Sequence, residues 1–192
     1  DTEDGQTLLF KYPGAFSSRE LGYVRPVVKI ELGARSDTWP SEERHLESYV
    51  AQVFPTLKVD GGCNVRTLVA ERTFWEKAML LHEETFRPID SPIRLQMARH
   101  YYDLWCLITR GIADRAVADP ALFERVAEHR MNFFSRGWVD YSTLRRGSLR
   151  MLPSPERREA WRKDYEAMRG PMFFGQTPEF DHILELVGDF EH

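Results

Sequence analysis

The sequence predicts an α+β protein with its strands first and its helices after. Up to about Val69 it holds short β-rich runs separated by Gly and Pro turns. From about Ala70, apolar residues recur at three- and four-residue spacing. Pro-led helix starts then appear at Asp119-Pro120, Ser154-Pro155 and Thr177-Pro178. The expected division is residues 1–69, an α/β lobe, and residues 70–192, a helical domain.

Thr7–Tyr12 is the first candidate strand. Val27–Leu32 is the second, opened by Arg25-Pro26 and closed by Gly33. Its alternation puts Val28, Ile30 and Leu32 on one face and Val27, Lys29 and Glu31 on the other. Ser41 can cap a helix running to about Val53, before Pro55. Gly61-Gly62 reads as a turn, and Asn64–Val69 as a third strand. A helix opens near Glu71 or Thr73 and reaches about Thr85. Ile93 to Arg110 is expected to be the longest helix, with Met97, Tyr101, Leu104 and Ile108 as its buried stripe and Gly111 as its stop. Asp119-Pro120 starts a helix to about Phe134. Residues 137–153 read as irregular. Helices from Ser154-Pro155 to about Arg169, and from Thr177-Pro178 to near Phe190, complete the chain.

Composition narrows the classes. The chain has 192 residues, 42% of them hydrophobic, which is enough to bury a core. A net charge of −4 gives no global pull toward nucleic acid or membrane. Cys63 and Cys106 stand far apart, so a disulfide framework and a structural zinc site are not expected. Reduced thiols point to the cytoplasm. No apolar run approaches the ~18 residues of a membrane span, and no signal peptide is visible. The chain begins at Asp1 and enters a strand-like run almost at once, as a sequence cut into a domain would.

Several residues could carry chemistry. Lys77 shares a helix face with Phe74, Ala78 and Leu81. It can grip a phosphate as a point charge, or snorkel along apolar surface and pair with Glu76 or Glu84. Arg99 and Asp103 are spaced i,i+4. They can form an intrahelical ion pair, or Asp103 can serve as metal ligand or general base with Arg99 orienting it or meeting phosphate. Glu31, beside Lys29, is either part of a solvated sheet face or a carboxylate for Mg²⁺. Residues 125–150 carry six arginines against Glu128 and Asp140, with Phe133, Phe134, Trp138 and Tyr141 among them. They can meet RNA by phosphate contact and stacking, or the aromatics can be core with an arginine fringe. His-Glu-x-x-His, P-loop and Gly-x-Ser-x-Gly patterns are all missing, which argues against those enzyme classes.

Three segments together resemble the AbiEii/AbiGii-type nucleotidyltransferase toxin family. Val28-Lys29-Ile-Glu31-Leu-Gly33-Ala-Arg35-Ser36 is similar to the strand after that family's catalytic carboxylates. Ala70-Glu-Arg-Thr-Phe-Trp-Glu-Lys77-Ala-Met-Leu-Leu-His82 resembles its lysine-bearing helix, and Arg99-His-Tyr-Tyr-Asp103-Leu its Arg-x-x-x-Asp-Leu helix. His129 to Phe134 and Asp164 to Gly175 are weaker matches. The resemblance runs from about Val24 to the C-terminus. It implies part of a polymerase-β-like nucleotidyltransferase sheet followed by a helical domain. It also implies Mg²⁺-dependent transfer of a nucleotide from an NTP to an acceptor, tRNA in some members, in bacterial toxin–antitoxin or abortive-infection systems. Lys77 would then hold the triphosphate, Asp103 would be the catalytic carboxylate supported by Arg99, and Glu31 would complete the metal site. Partners would be the NTP, an RNA acceptor and an antitoxin protein.

One departure from the pattern is plain. The family's Gly-Gly or Gly-Ser turn followed by an Asp-x-Asp pair does not occur in these residues. Those carboxylates supply most of the charge that holds two Mg²⁺ ions. The expectation is therefore a C-terminal portion of such an enzyme, or a truncated relative, inactive or nearly so by itself. The competing expectation is a non-catalytic module that binds a protein partner or RNA.

Overall fold

A computed structural model describes residues 6–13, 26–33, 35–57, 62–173 and 175–191. The class is α+β, as expected. Strands β1 (Thr7–Lys11) and β2 (Val27–Glu31) form one antiparallel pair, and β3 (Ser41–Leu46) and β4 (Cys63–Leu68) form another. Among the described residues these are two separate two-stranded sheets. Helices follow: α1 (Tyr49–Val53, between β3 and β4), α2 (Ala70–Thr85), α3 (Arg99–Thr109), α4 (Ile112–Val117), α5 (Pro120–Phe133), α6 (Pro155–Met172) and α7 (Phe180–Glu191).

The β1–β2 register places Leu8 opposite Ile30 and Phe10 opposite Val28. Directly opposed side chains point to the same face, so Leu8, Phe10, Val28, Ile30 and Leu32 form one apolar surface. The alternation sorts the residues as the sequence predicts, yet this surface is bare: Phe10 is 64% and Leu32 59% exposed.

The expected helix from Ser41 is instead strand β3 followed by the short α1. Glu42, Glu43 and Arg44 favour a helix locally, but a six-residue ladder with β4 satisfies their backbone groups. The cap is Ser48, whose Oγ accepts from Ala51 N at 3.1 Å. The Gly61-Gly62 turn is half described: Gly62 has φ +87°, and a Cβ there would lie 2.3 Å from the Leu46 carbonyl oxygen. Gly61 lies outside the described residues.

The core belongs to the helices. α2 packs against α3, α4 and α5, and α3 packs against α4 and α7. Phe74, Ala78 and Met79 of α2, Leu104 of α3, Phe123 and Val126 of α5, Tyr165 and Met168 of α6, and Ile183 and Val187 of α7 are fully buried. Edge-to-face aromatic contacts fix the packing. Trp75 meets Phe74 and Phe123, both with ring centroids 4.9 Å apart. Buried polar tips find carbonyls: Trp75 Nε1 donates to Ala116 O at 3.2 Å and Tyr101 Oη to Met151 O at 2.6 Å.

The helix expected from Ile93 begins only at Arg99. Gln96 holds a left-handed φ of 66°, which ends any regular turn before it. The buried Asp164 of α6 accepts from Gln96 N at 2.7 Å and Ala98 N at 2.8 Å, and so anchors the approach to α3. The longest helix is consequently α6, with 18 residues; it runs through Gly170 to Met172. α5 and α7 fall within three residues of their predicted limits. Residues 137–153 are irregular apart from a 3₁₀ turn at Tyr141–Thr143.

Candidate functional site

Helix α2 presents Lys77 beside its buried stripe, and α3 crosses next to it with His100 and Asp103 one turn apart. The three side chains converge. Lys77 Nζ lies 3.3 Å from Asp103 Oδ2 and 3.2 Å from His100 Nδ1, and His100 Nδ1 lies 3.5 Å from Asp103 Oδ2. Lys77 is 27% and Asp103 38% exposed, while His100 is 6% exposed. The cluster is a surface site with a buried floor.

Electrostatics follow from that placement. Burial pushes the Asp103 carboxyl upward, but the His100 contact and the Lys77 charge outweigh it and hold Asp103 below its ordinary range. His100 titrates below an ordinary histidine, mainly because burial disfavours its charged form; Lys77 and Arg99 act in the same direction. At neutral pH Asp103 is therefore a carboxylate and His100 a neutral imidazole.

The structure thus joins Lys77 to Asp103, 26 residues on. The alternative partners named for Lys77, Glu76 and Glu84, are engaged elsewhere: Glu76 with Arg72, Glu84 with Arg94 and Arg87. The i,i+4 pair of Arg99 with Asp103 does not form. Arg99 is partly buried, and among the described residues its side chain makes no hydrogen bond or ion pair. His100 is the residue that sequence reasoning left aside. Its i,i+3 spacing from Asp103 puts both on one face of α3, which was the available signal.

Glu31 stands on β2, 67% exposed, with Lys29 Nζ 2.7 Å away. No hydrogen bond or ion pair among the described residues links it to the Lys77 cluster. Nor do those residues assemble a metal centre, since no group of three or more His, Cys, Asp or Glu is placed to hold an ion. Asp103 is a single carboxylate already facing an ammonium. The described residues by themselves do not fit a two-ion site.

The arginine stretch divides. Arg125 and Arg130 are committed to ion pairs with Asp37 and Glu83. Phe133 and Phe134, weighed as core, are 49% and 39% exposed, because α5 ends there beyond the packed helices. Arg87 lies over the Trp138 ring, 5.8 Å from its centroid. A groove of about 420 Å³ between the Arg35–Asp37 loop and α5 is lined by Arg35, Arg125, His129 and Phe133 among others.

No helix among the described residues is long and apolar enough to cross a membrane. No curated protein and no solved structure matches the chain. One family model does, that of the nucleotidyl transferase AbiEii toxin of type IV toxin–antitoxin systems, over residues 1–186. That match takes in β2, the Lys77 helix and the Asp103 helix together, and the chain belongs to the AbiEii nucleotidyl transferase toxin family.

Proposed function

We propose that this chain supplies the triphosphate grip and one catalytic carboxylate of a nucleotidyl transfer from an NTP to a hydroxyl acceptor, in a protein that works as the toxin of a toxin–antitoxin pair. The observation that carries the reading is the meeting of Lys77 and Asp103 at 3.3 Å across two helices. Family membership gives the reaction class and the antitoxin partner.

In this reading Lys77 binds the phosphates as a compact positive charge. Asp103, ionised at neutral pH, orients the acceptor hydroxyl and takes its proton. The acceptor oxygen bonds to the α-phosphorus as the bond to pyrophosphate breaks. Arg99, on the same helix as Asp103, is read as a second phosphate contact and as support for Asp103 once substrate is bound. Mg²⁺ supplies charge neutralisation of the triphosphate when bound. Glu31, exposed on β2, is read as only one of the several carboxylates such a site would need. The acceptor we propose is RNA. The exposed Phe133 and Phe134 each line a groove shared with Arg35 and offer stacking and phosphate contact. Residues 1–69 and 70–192 are read as remainder of the nucleotidyltransferase lobe and helical domain.

The test is label transfer from α-labelled NTPs to total RNA by the intact protein, with Mg²⁺, in a bacterial extract depleted of its own transferases. Transfer that is lost in Lys77→Ala and Asp103→Asn supports the reading. Transfer undiminished by Lys77→Ala refutes the site. A second reading, a module that binds a protein partner without catalysis, is favoured by the bare apolar surface of β1–β2. Its mark is partner binding that survives both substitutions in a protein that transfers no label.

A further inference from the structure

Lys77 Nζ sits between two acceptors of different kinds. One is the Asp103 carboxylate at 3.3 Å, the other His100 Nδ1 at 3.2 Å. An ammonium has three donors and no lone pair. The imidazole nitrogen that faces it must therefore present a lone pair, which puts the ring proton on Nε2. With the proton on Nε2, Nδ1 does not donate to Asp103, 3.5 Å away, and of the two neighbours that depress the Asp103 carboxyl only the Lys77 ammonium acts in this tautomer. His100 is buried, so its ring is held by packing and cannot turn away freely. Burial and the nearby positive charges of Lys77 and Arg99 keep it neutral against the opposing charge of Asp103.

We propose that His100 is the positioning residue for Lys77, a neutral imidazole that holds the ammonium through Nδ1 without cancelling its charge. This rests on Lys77 being the triphosphate grip. The two acceptors divide the work. Asp103 neutralises Lys77 while no nucleotide is present. Once Asp103 turns to its own chemistry, the carboxylate no longer fixes the lysine. His100 still does, and a full positive charge stays aimed at the phosphates. A second carboxylate in its place would hold Lys77 equally well but would repel the triphosphate.

Two measurements on the intact protein decide it. The first is ¹⁵N-histidine NMR, with the His100 signals identified by their loss in His100→Phe. The expected signature is an unprotonated Nδ1 and a protonated Nε2. The Nδ1 resonance should move toward that of a free acceptor in Lys77→Met. A proton found on Nδ1, or an Nδ1 signal indifferent to Lys77→Met, overturns the proposal. The second is calorimetric binding of inorganic tripolyphosphate. His100→Phe keeps the ring volume but removes the acceptor, and should weaken binding about tenfold, the loss of one charge-assisted hydrogen bond. His100→Asn, whose amide oxygen falls near the Nδ1 position, should restore most of it. Equal losses in both variants mean a packing role and refute the positioning role. Wild-type protein that ignores tripolyphosphate refutes the nucleotide reading, while the NMR arm still decides the His100–Lys77 bond.

Discussion

Arg125 and Asp37, 88 residues apart, meet in a two-pronged ion pair, Nε to Oδ2 at 2.7 Å and Nη2 to Oδ1 at 2.9 Å. On its other side Asp37 accepts from Arg72 Nη1 at 2.8 Å, and Arg72 is completely buried. The loop after β2 is thereby fastened to both α2 and α5. His129 Nε2, 2.8 Å from Arg35 O, adds a third tie. The Arg125 hydrogen bonds, with those from Arg72, outweigh burial and hold Asp37 well below the usual carboxylate range.

Removing Asp37 leaves Arg72 a buried cation with only Glu76 Oε1 and the Trp39 carbonyl as partners. Asp37→Ala should cost about 3 kcal/mol, as for a half-broken buried pair. The urea midpoint checks it, read with the m-value to confirm that two-state behaviour survives. Arg125→Ala should cost less, because its side chain is 46% exposed.

Acid should weaken the fold in two windows. The buried His82 accepts at Nδ1 from Arg150 N at 2.9 Å, and Nε2 lies 3.0 Å from Thr143 Oγ1. Burial lowers its pKa from the ordinary 6.5. The unfolded chain therefore binds a proton first as pH falls through 6.5, and stability declines from there. Asp37 is also depressed, so its contribution is present above its ordinary 3.8 and lost as pH falls below it. Urea midpoints between pH 7.5 and 5.5 should fall for wild type and fall less steeply for His82→Gln.

At the approach to α3, Asp164→Asn replaces one of two acceptor oxygens with a donor that faces a backbone N–H. The expected cost is about 2 kcal/mol. Gln96→Gly should go the other way. It relieves the left-handed backbone at φ 66° and should stabilise by about 1 kcal/mol, with both values read from thermal and urea unfolding.

Gly62→Ala places a methyl 2.3 Å from a backbone oxygen, at a φ that L residues avoid. The β3–β4 hairpin should loosen while the helices stay intact. Amide exchange of Val65 and Thr67 should speed up, and that of Met79 and Leu104 should not change.

Arg99→Ala should leave stability within about 0.5 kcal/mol, since its guanidinium bonds to none of the described residues. Label transfer should nevertheless drop. Equal loss of stability and transfer would show a structural arginine instead.

Much of this was legible from residues alone. The turns at Asp119-Pro120 and Ser154-Pro155 mark helix starts because Pro removes a donor that the first turn does not use, and α5 and α6 begin there. Lys77 and Asp103 each stood out as candidates, but the 3.3 Å contact between them was not readable, because it depends on how α2 crosses α3. His100 was overlooked because Arg99 offered Asp103 a more familiar partner. The Ser41 region misled because helix-favouring glutamates there obey a ladder formed with residues some twenty positions away. Asp37 gave no local hint, since both of its arginines come from later helices.

The bare β1–β2 ribbon has a practical consequence for anyone following this protein in solution. A two-stranded pair that buries little is marginal in water, so its amides should exchange with solvent long before those of the helices. Of the five tryptophans, Trp75, Trp105, Trp138 and Trp161 stand in the helical part and only Trp39 before it. An unfolding curve recorded by intrinsic fluorescence is therefore mainly a record of the helices. The ribbon could open and close many times within a baseline that looks perfectly flat.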